Sequence, residues 1–208
     1  IWIIHLYDST LQPKAQITYI SISQQIKTVR EMICWSHANL ALAHHAISHQ
    51  ESAYSRLSFS IRSRLFAGLM SGKMKLGSIL DDERVKIEYS DVCAYCGNRT
   101  DVSIDHLIPK IANGSNSADN LVRACKHCNS SKGGRDLLEW HYKHNEFPSL
   151  LVLRRYLKLV YSYCDEQNLL DLSIDDALSM TLPFNLKLIP IDYPVPDKLV
   201  LYKTDKNM

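Results

Sequence analysis

The sequence predicts an α+β protein: a small ββα core pinned by a cysteine cluster, flanked by a helical N-terminal segment and a C-terminal helix with an extended tail. Three observations carry this. Two Cys-x-x-Cys pairs, Cys93/Cys96 and Cys125/Cys128, bracket 28 residues. Between them lie short alternating stretches with turn signals. Outside them lie longer runs with helical periodicity. The expected divisions are a mostly helical segment over 1–88, the core over 89–145, and the helix and tail over 146–208.

Taken in order, residues 1–20 read as extended, with Ile3, Ile4, Tyr7, Ile17, Tyr19 and Ile20 around Pro13. From about Ser23 to Gly68 there is no intervening Gly or Pro. Leu40, Ala43, Ile47, Tyr54, Leu57, Ile61 and Leu65 recur at three- or four-residue intervals over most of that stretch, which predicts one or two amphipathic helices. Gly68, Gly72 and Gly77 punctuate the chain, and a charged segment, Asp81 to Glu88, leads to the first cysteine pair. Val102-Ser103-Ile104 alternates and predicts a strand delivering Asp105 and His106 at its end; in a regular strand these two point to opposite faces. Asn113-Gly114-Ser115 is a turn, Leu121 to Ala124 a returning strand, and Asn129 to Lys132 part of a short helix before Gly133-Gly134. After Pro148 a helix runs to about Asn168 with an apolar seam of Leu150, Leu153, Leu157, Val160 and Cys164. Pro183, Pro190, Pro194 and Pro196 keep the tail extended, either wrapping its own domain or docking on another protein.

Composition narrows the classes. Hydrophobic residues at 46% and charged residues at 22% describe an ordinary globular chain. No apolar run approaches the roughly 20 residues needed to cross a bilayer, and no signal peptide is legible, so a cytoplasmic protein without a membrane role is expected. Residue 1 is Ile, so the numbering can begin inside a longer product. The net charge of +2 is small for a protein that grips nucleic acid unaided. Either the basic residues cluster or a partner supplies part of the grip.

Two close cysteine pairs in a chain without secretory features predict thiolate ligands for one tetrahedral zinc, against the plainer alternative of four buried or free thiols. Four thiolates leave no open position, so this zinc is structural. A ββα unit of this size needs such a staple.

The stretches CAYCG, DHLIPK, GSNSADNL and CKHCNSSKGG together resemble the zinc-stapled HNH endonucleases, over about 40 of the 208 residues. The resemblance implies a ββα-metal HNH core that hydrolyses phosphodiester bonds, leaving a 5′-phosphate and a 3′-hydroxyl. His106 is the expected general base, since an imidazole with an ordinary pKa near 6.5 accepts a proton at neutral pH. By resemblance, Asp105 and Asn129 hold a catalytic cation; oxygen donors favour Mg²⁺ or Mn²⁺. Asn120 is the middle Asn of the motif, orienting the loop that carries the base. Lys132 is expected to contact a phosphate, with Arg123, Lys126 and Arg135 extending the basic surface. Many members carry His where this chain has Asn129, which tilts the site towards hard cations. His127 inside the second knuckle reads as a solvent-facing residue.

By the same resemblance DNA is the favoured substrate, with RNA such as tRNA open. Size and layout also resemble, more loosely, the PtuB-type HNH subunits of bacterial anti-phage defence systems. That implies a protein partner such as an ATPase subunit. Two other classes stand beside this reading: a zinc-stapled module that binds nucleic acid or protein without catalysis, and an architectural subunit. Elsewhere, His37, His44, His45 and His49 read as a polar helix face, and Arg56, Arg62, Arg64, Lys73 and Lys75 as a basic stretch that is solvated or grips a nucleic-acid backbone.

Overall fold

The computed structural model describes residues 26–76 and 91–203. The expected extended stretch at 1–20 and the charged segment Asp81 to Glu88 lie outside the described residues. The N-terminal region forms two helices, α1 (Val29–Ser48) and α2 (Arg56–Met70). Thr28 and Glu31 form a capping box at the start of α1, satisfying donors the first helical turn cannot. The chain leaves α1 through Gln50 at φ 53°, and Ser55 caps α2. The periodic stripe is only partly interior: Leu40 and Ala43 are buried, but Leu57 is 56% exposed because α2 packs on α1 along one narrow face.

The core is an antiparallel hairpin followed by a helix. Strands β1 (Val102–His106) and β2 (Leu121–Cys125) pair in the register Val102 to Cys125 through His106 to Leu121. Helix α3 (Lys126–Lys132) follows at once and packs on both strands. It begins three residues earlier than Asn129, because Cys125 serves as its N-cap; it ends at Gly133, whose φ is 53°. A further helix, α4 (Leu137–Lys143), was not legible as a separate element; Asp136 caps it through two backbone N–H groups.

Helix α5 (Leu150–Glu166) buries its seam completely, with Leu150, Leu153, Leu157, Val160 and Cys164 all inaccessible. Each such side chain contributes about 1.5–3 kcal/mol. A short α6 (Ile174–Leu178) follows. The tail wraps the chain's own domain. Leu150 and Leu151 at the head of α5 donate to the carbonyls of Val200 and Leu201 (3.0 and 3.1 Å). Trp35 and Asn39 of α1 both donate to the Ile191 carbonyl at 2.8 Å. Helices α1 and α5 pack together, so segments on both sides of the ββα unit share one core. Among the described residues no helix is long and apolar enough to cross a membrane.

Candidate active site

The four knuckle cysteines converge. Their sulfurs all lie within 4.8 Å of one another, and Cys96 and Cys125 are 3.7 Å apart. A tetrahedral zinc with bonds of about 2.3 Å separates its sulfurs by about 3.8 Å, so the cluster has the dimensions and donors of a structural zinc site. Gly97, at φ 80°, allows the tight turn of the first knuckle, whose Ala94 N–H donates to Arg123 of β2 (2.8 Å). Four thiolates this close repel one another, and a divalent ion bound among them would remove that repulsion.

β1 alternates regularly to its end at His106, placing Asp105 on one face and His106, with Ile104, on the other. Asp105 is 6% exposed and faces α3. Its Oδ2 accepts from the Tyr95 hydroxyl (2.7 Å) and lies 3.2 Å from the Lys132 ammonium. Burial beside Asp105 pushes the Tyr95 pKa well up, which keeps it a neutral donor. Tyr95 is backed by Trp140 of α4, ring centroids 5.0 Å apart.

Lys132 departs from its expected place. Its side chain is wholly buried and also donates to the His106 carbonyl (2.7 Å), so it braces the two motif residues from beneath and presents no ammonium to a phosphate at the surface. The reason is geometric: one turn after Asn129, it lies on the α3 face that packs against Asp105. Burial lowers its pKa, opposed by the Asp105 charge.

Asn129 donates from Nδ2 to Ser103 Oγ (3.2 Å) and to the Ile104 carbonyl (3.3 Å), which fixes its amide and leaves Oδ1 without a hydrogen bond among the described residues. Oδ1 of Asp105 is likewise without one. Two hard oxygen donors, from β1 and from α3, fit a small divalent cation better than a soft one.

Asn120 is 1% exposed. Its Oδ1 accepts from the Ile108 N–H (2.8 Å), and its Nδ2 donates to the carbonyls of Ile108 (3.0 Å) and Ser115 (2.8 Å). Its own carbonyl accepts from Leu107 (2.9 Å). The loop after His106 is thereby tied to the turn before β2. Gly114 is required there: a Cβ would stand 1.8 Å from the Ile108 carbonyl oxygen. His106 is half-buried, and its Nε2 lies 2.9 Å from Asn116 Oδ1, a partner the motif reading did not single out.

Arg123 is exposed on the His106 face of the hairpin, paired across from Ile104. Lys126 and His127 are exposed at the start of α3, and Arg135 is exposed beyond its end, donating to the Ser131 and Lys132 carbonyls. His37 corrects the polar-face expectation, being 7% exposed and packed inside.

A zinc-sized thiol cluster, a hairpin ending in Asp-His and a following helix carrying Asn define a ββα-metal centre. Comparison with known proteins agrees: residues 93–135 match the HNH endonuclease family. A 52-residue stretch is 42% identical to the CRISPR-associated endonuclease Cas9 of Corynebacterium diphtheriae, covering 23% of this chain and 5% of that protein. No solved structure matches.

Proposed function

We propose that this chain is a metal-dependent endonuclease that hydrolyses phosphodiester bonds, with DNA as its substrate and a protein partner directing it in anti-phage defence. The observation that carries the reading is the placing of Asp105 and Asn129 on facing elements, with His106 at the strand end and each of the three held by named hydrogen bonds. The matched relative is by name an endonuclease, which supports the same chemistry.

An amide oxygen only accepts, so the Asn116 contact puts the proton of a neutral His106 on Nε2 and leaves Nδ1 free. Nδ1 takes a proton from the attacking water as its oxygen bonds to phosphorus. The P–O3′ bond breaks, and the leaving oxygen takes a proton from a solvent water to become the 3′-hydroxyl, with the phosphate on the 5′ end. Asp105 and Asn129 would hold Mg²⁺ or Mn²⁺, which would neutralise charge at the phosphate. Arg123, on the same face as His106, meets the nucleic-acid backbone, with Lys126 and Arg135 flanking it.

The DNA preference rests on the habit of the family, and the partner on the small net charge. The looser likeness in layout to PtuB-type subunits favours an ATPase as that partner. Substrate is tested by offering plasmid DNA and total tRNA side by side with Mg²⁺. Nicking or linearising of the plasmid with tRNA intact supports the proposal. Cutting of tRNA alone makes this an RNA nuclease, and binding of either without cutting, even with the partner added, favours the non-catalytic binding module.

A further inference from the structure

Arg155 lies on α5, twenty residues beyond the end of the matched domain, yet its guanidinium reaches into the nuclease loop. Its Nη2 lies 2.7, 3.1 and 2.6 Å from the carbonyls of Ala118, Asp119 and Leu121, sharing its two N–H donors among the three. These three carbonyls surround Asn120, the residue whose side chain and backbone tie down Leu107 and Ile108 directly after His106. One turn further along α5, the Lys158 ammonium lies 3.2 Å from Asp119 Oδ2. The platform is firm, because the α5 seam is fully buried and its first N–H groups are satisfied by the tail.

The turn at Ala118–Asn120 is a single 3-10 turn, which by itself holds its carbonyls weakly. A planar guanidinium is suited to gathering several carbonyls at once, and a charged donor makes the stronger hydrogen bond. The path therefore runs from α5 through Arg155 to the 118–121 turn, then through Asn120 to Leu107 and His106.

We propose that Arg155 is a positioning residue for the nuclease centre, through which the C-terminal helix, outside the HNH motif, holds the loop that sets His106. This rests on the nuclease reading for its catalytic consequence, but the geometric part is testable without it.

The test uses the full chain, native and as Arg155→Ala and Arg155→Lys, each checked for bound zinc. Amide hydrogen exchange is followed by NMR. Arg155→Ala is expected to speed exchange at Leu107 and Ile108 at least tenfold while leaving Ala94 and Gly97 in the zinc knuckle unchanged. Arg155→Lys, which retains one charged donor, recovers part of the protection. In the cleavage assay kcat falls about tenfold or more, with KM within twofold of native. Unchanged exchange at Leu107 and Ile108 overturns the proposal, as does a uniform rise across loop and knuckle in both variants. If the native chain cuts nothing while the exchange pattern appears as described, the nuclease reading has failed and the positioning of the loop has not.

Discussion

The Lys132 ammonium lies 3.2 Å from Asp105 Oδ2, the lysine side chain wholly buried and the carboxylate 8% exposed. Removing one partner of such a pair leaves the other charge buried and uncompensated. Lys132→Met is therefore expected to cost about 3 kcal/mol of stability, with loss of nuclease activity as Asp105 and the His106 carbonyl lose their brace. Urea unfolding of zinc-loaded protein checks this. A cost of under about 0.5 kcal/mol, the size of an ordinary surface substitution, would return Lys132 to the surface role first expected of it.

The Asn120 side chain concentrates three hydrogen bonds at one buried position. Asn120→Ala orphans the buried N–H and carbonyl of Ile108 and the part-buried carbonyl of Ser115. The expected loss is about 3 kcal/mol, accompanied by faster proteolysis between Ile108 and Ala118. Intact resistance to protease at that loop would show that Asn120 does not tie it down.

The zinc cluster sets a third expectation. The purified chain should hold one zinc, and chelation should lower its melting temperature by 10 °C or more, since the hairpin has no other staple of that strength. Thiol titration separates the roles. Chelation should expose the four knuckle cysteines, while Cys34 and Cys164 stay unreactive until unfolding, because burial raises their pKa values to about 11 and about 12. A chain with four reactive thiols before chelation would contradict the site.

Acid should weaken the fold through two buried histidines. Burial holds His141 down to about 3, with Lys203, His144 and Lys132 adding repulsion; burial and then Arg154 hold His37 down to about 4. Both rings lack a hydrogen-bond partner among the described residues. The unfolded chain takes up these protons near pH 6.5 and the folded chain does not. Their contribution is thus complete above pH 6.5 and is lost as pH falls through about 4 for His37 and about 3 for His141. At pH 5 each costs about 2 kcal/mol relative to pH 7.5. His141→Phe should flatten its share of that slope. An unaltered slope in unfolding curves at the two pH values would mean that His141 takes up its proton alike in the folded and unfolded chain.

Much of the hairpin and helix was legible because its residues carry local signals. Alternation marked β1, Gly114 marked the turn, and paired cysteines marked the staple. The hold on Asn129 by Ser103 Oγ and the Ile104 carbonyl was not legible, nor was the fate of Lys132: a lysine on a short polar helix reads as solvated until β1 arrives beside it. Arg155 was hidden for a similar reason. It reads as a charge off the α5 seam, and only tertiary packing brings the 118–121 carbonyls to it. His37 failed as a polar-face residue because α5 and the tail cover that side of α1. Short α4 was missed because seven residues give too little periodicity to separate it from the core that precedes it.

On the proposed function, His106 works in a phosphodiester-cleaving centre. The most direct measurement compares native protein with His106→Ala on plasmid DNA in Mg²⁺ or Mn²⁺, both proteins carrying the same zinc and melting at the same temperature. The account predicts cutting by native protein that EDTA abolishes and that the substitution lowers by about a hundredfold or more. Equal cutting by both proteins would contradict it.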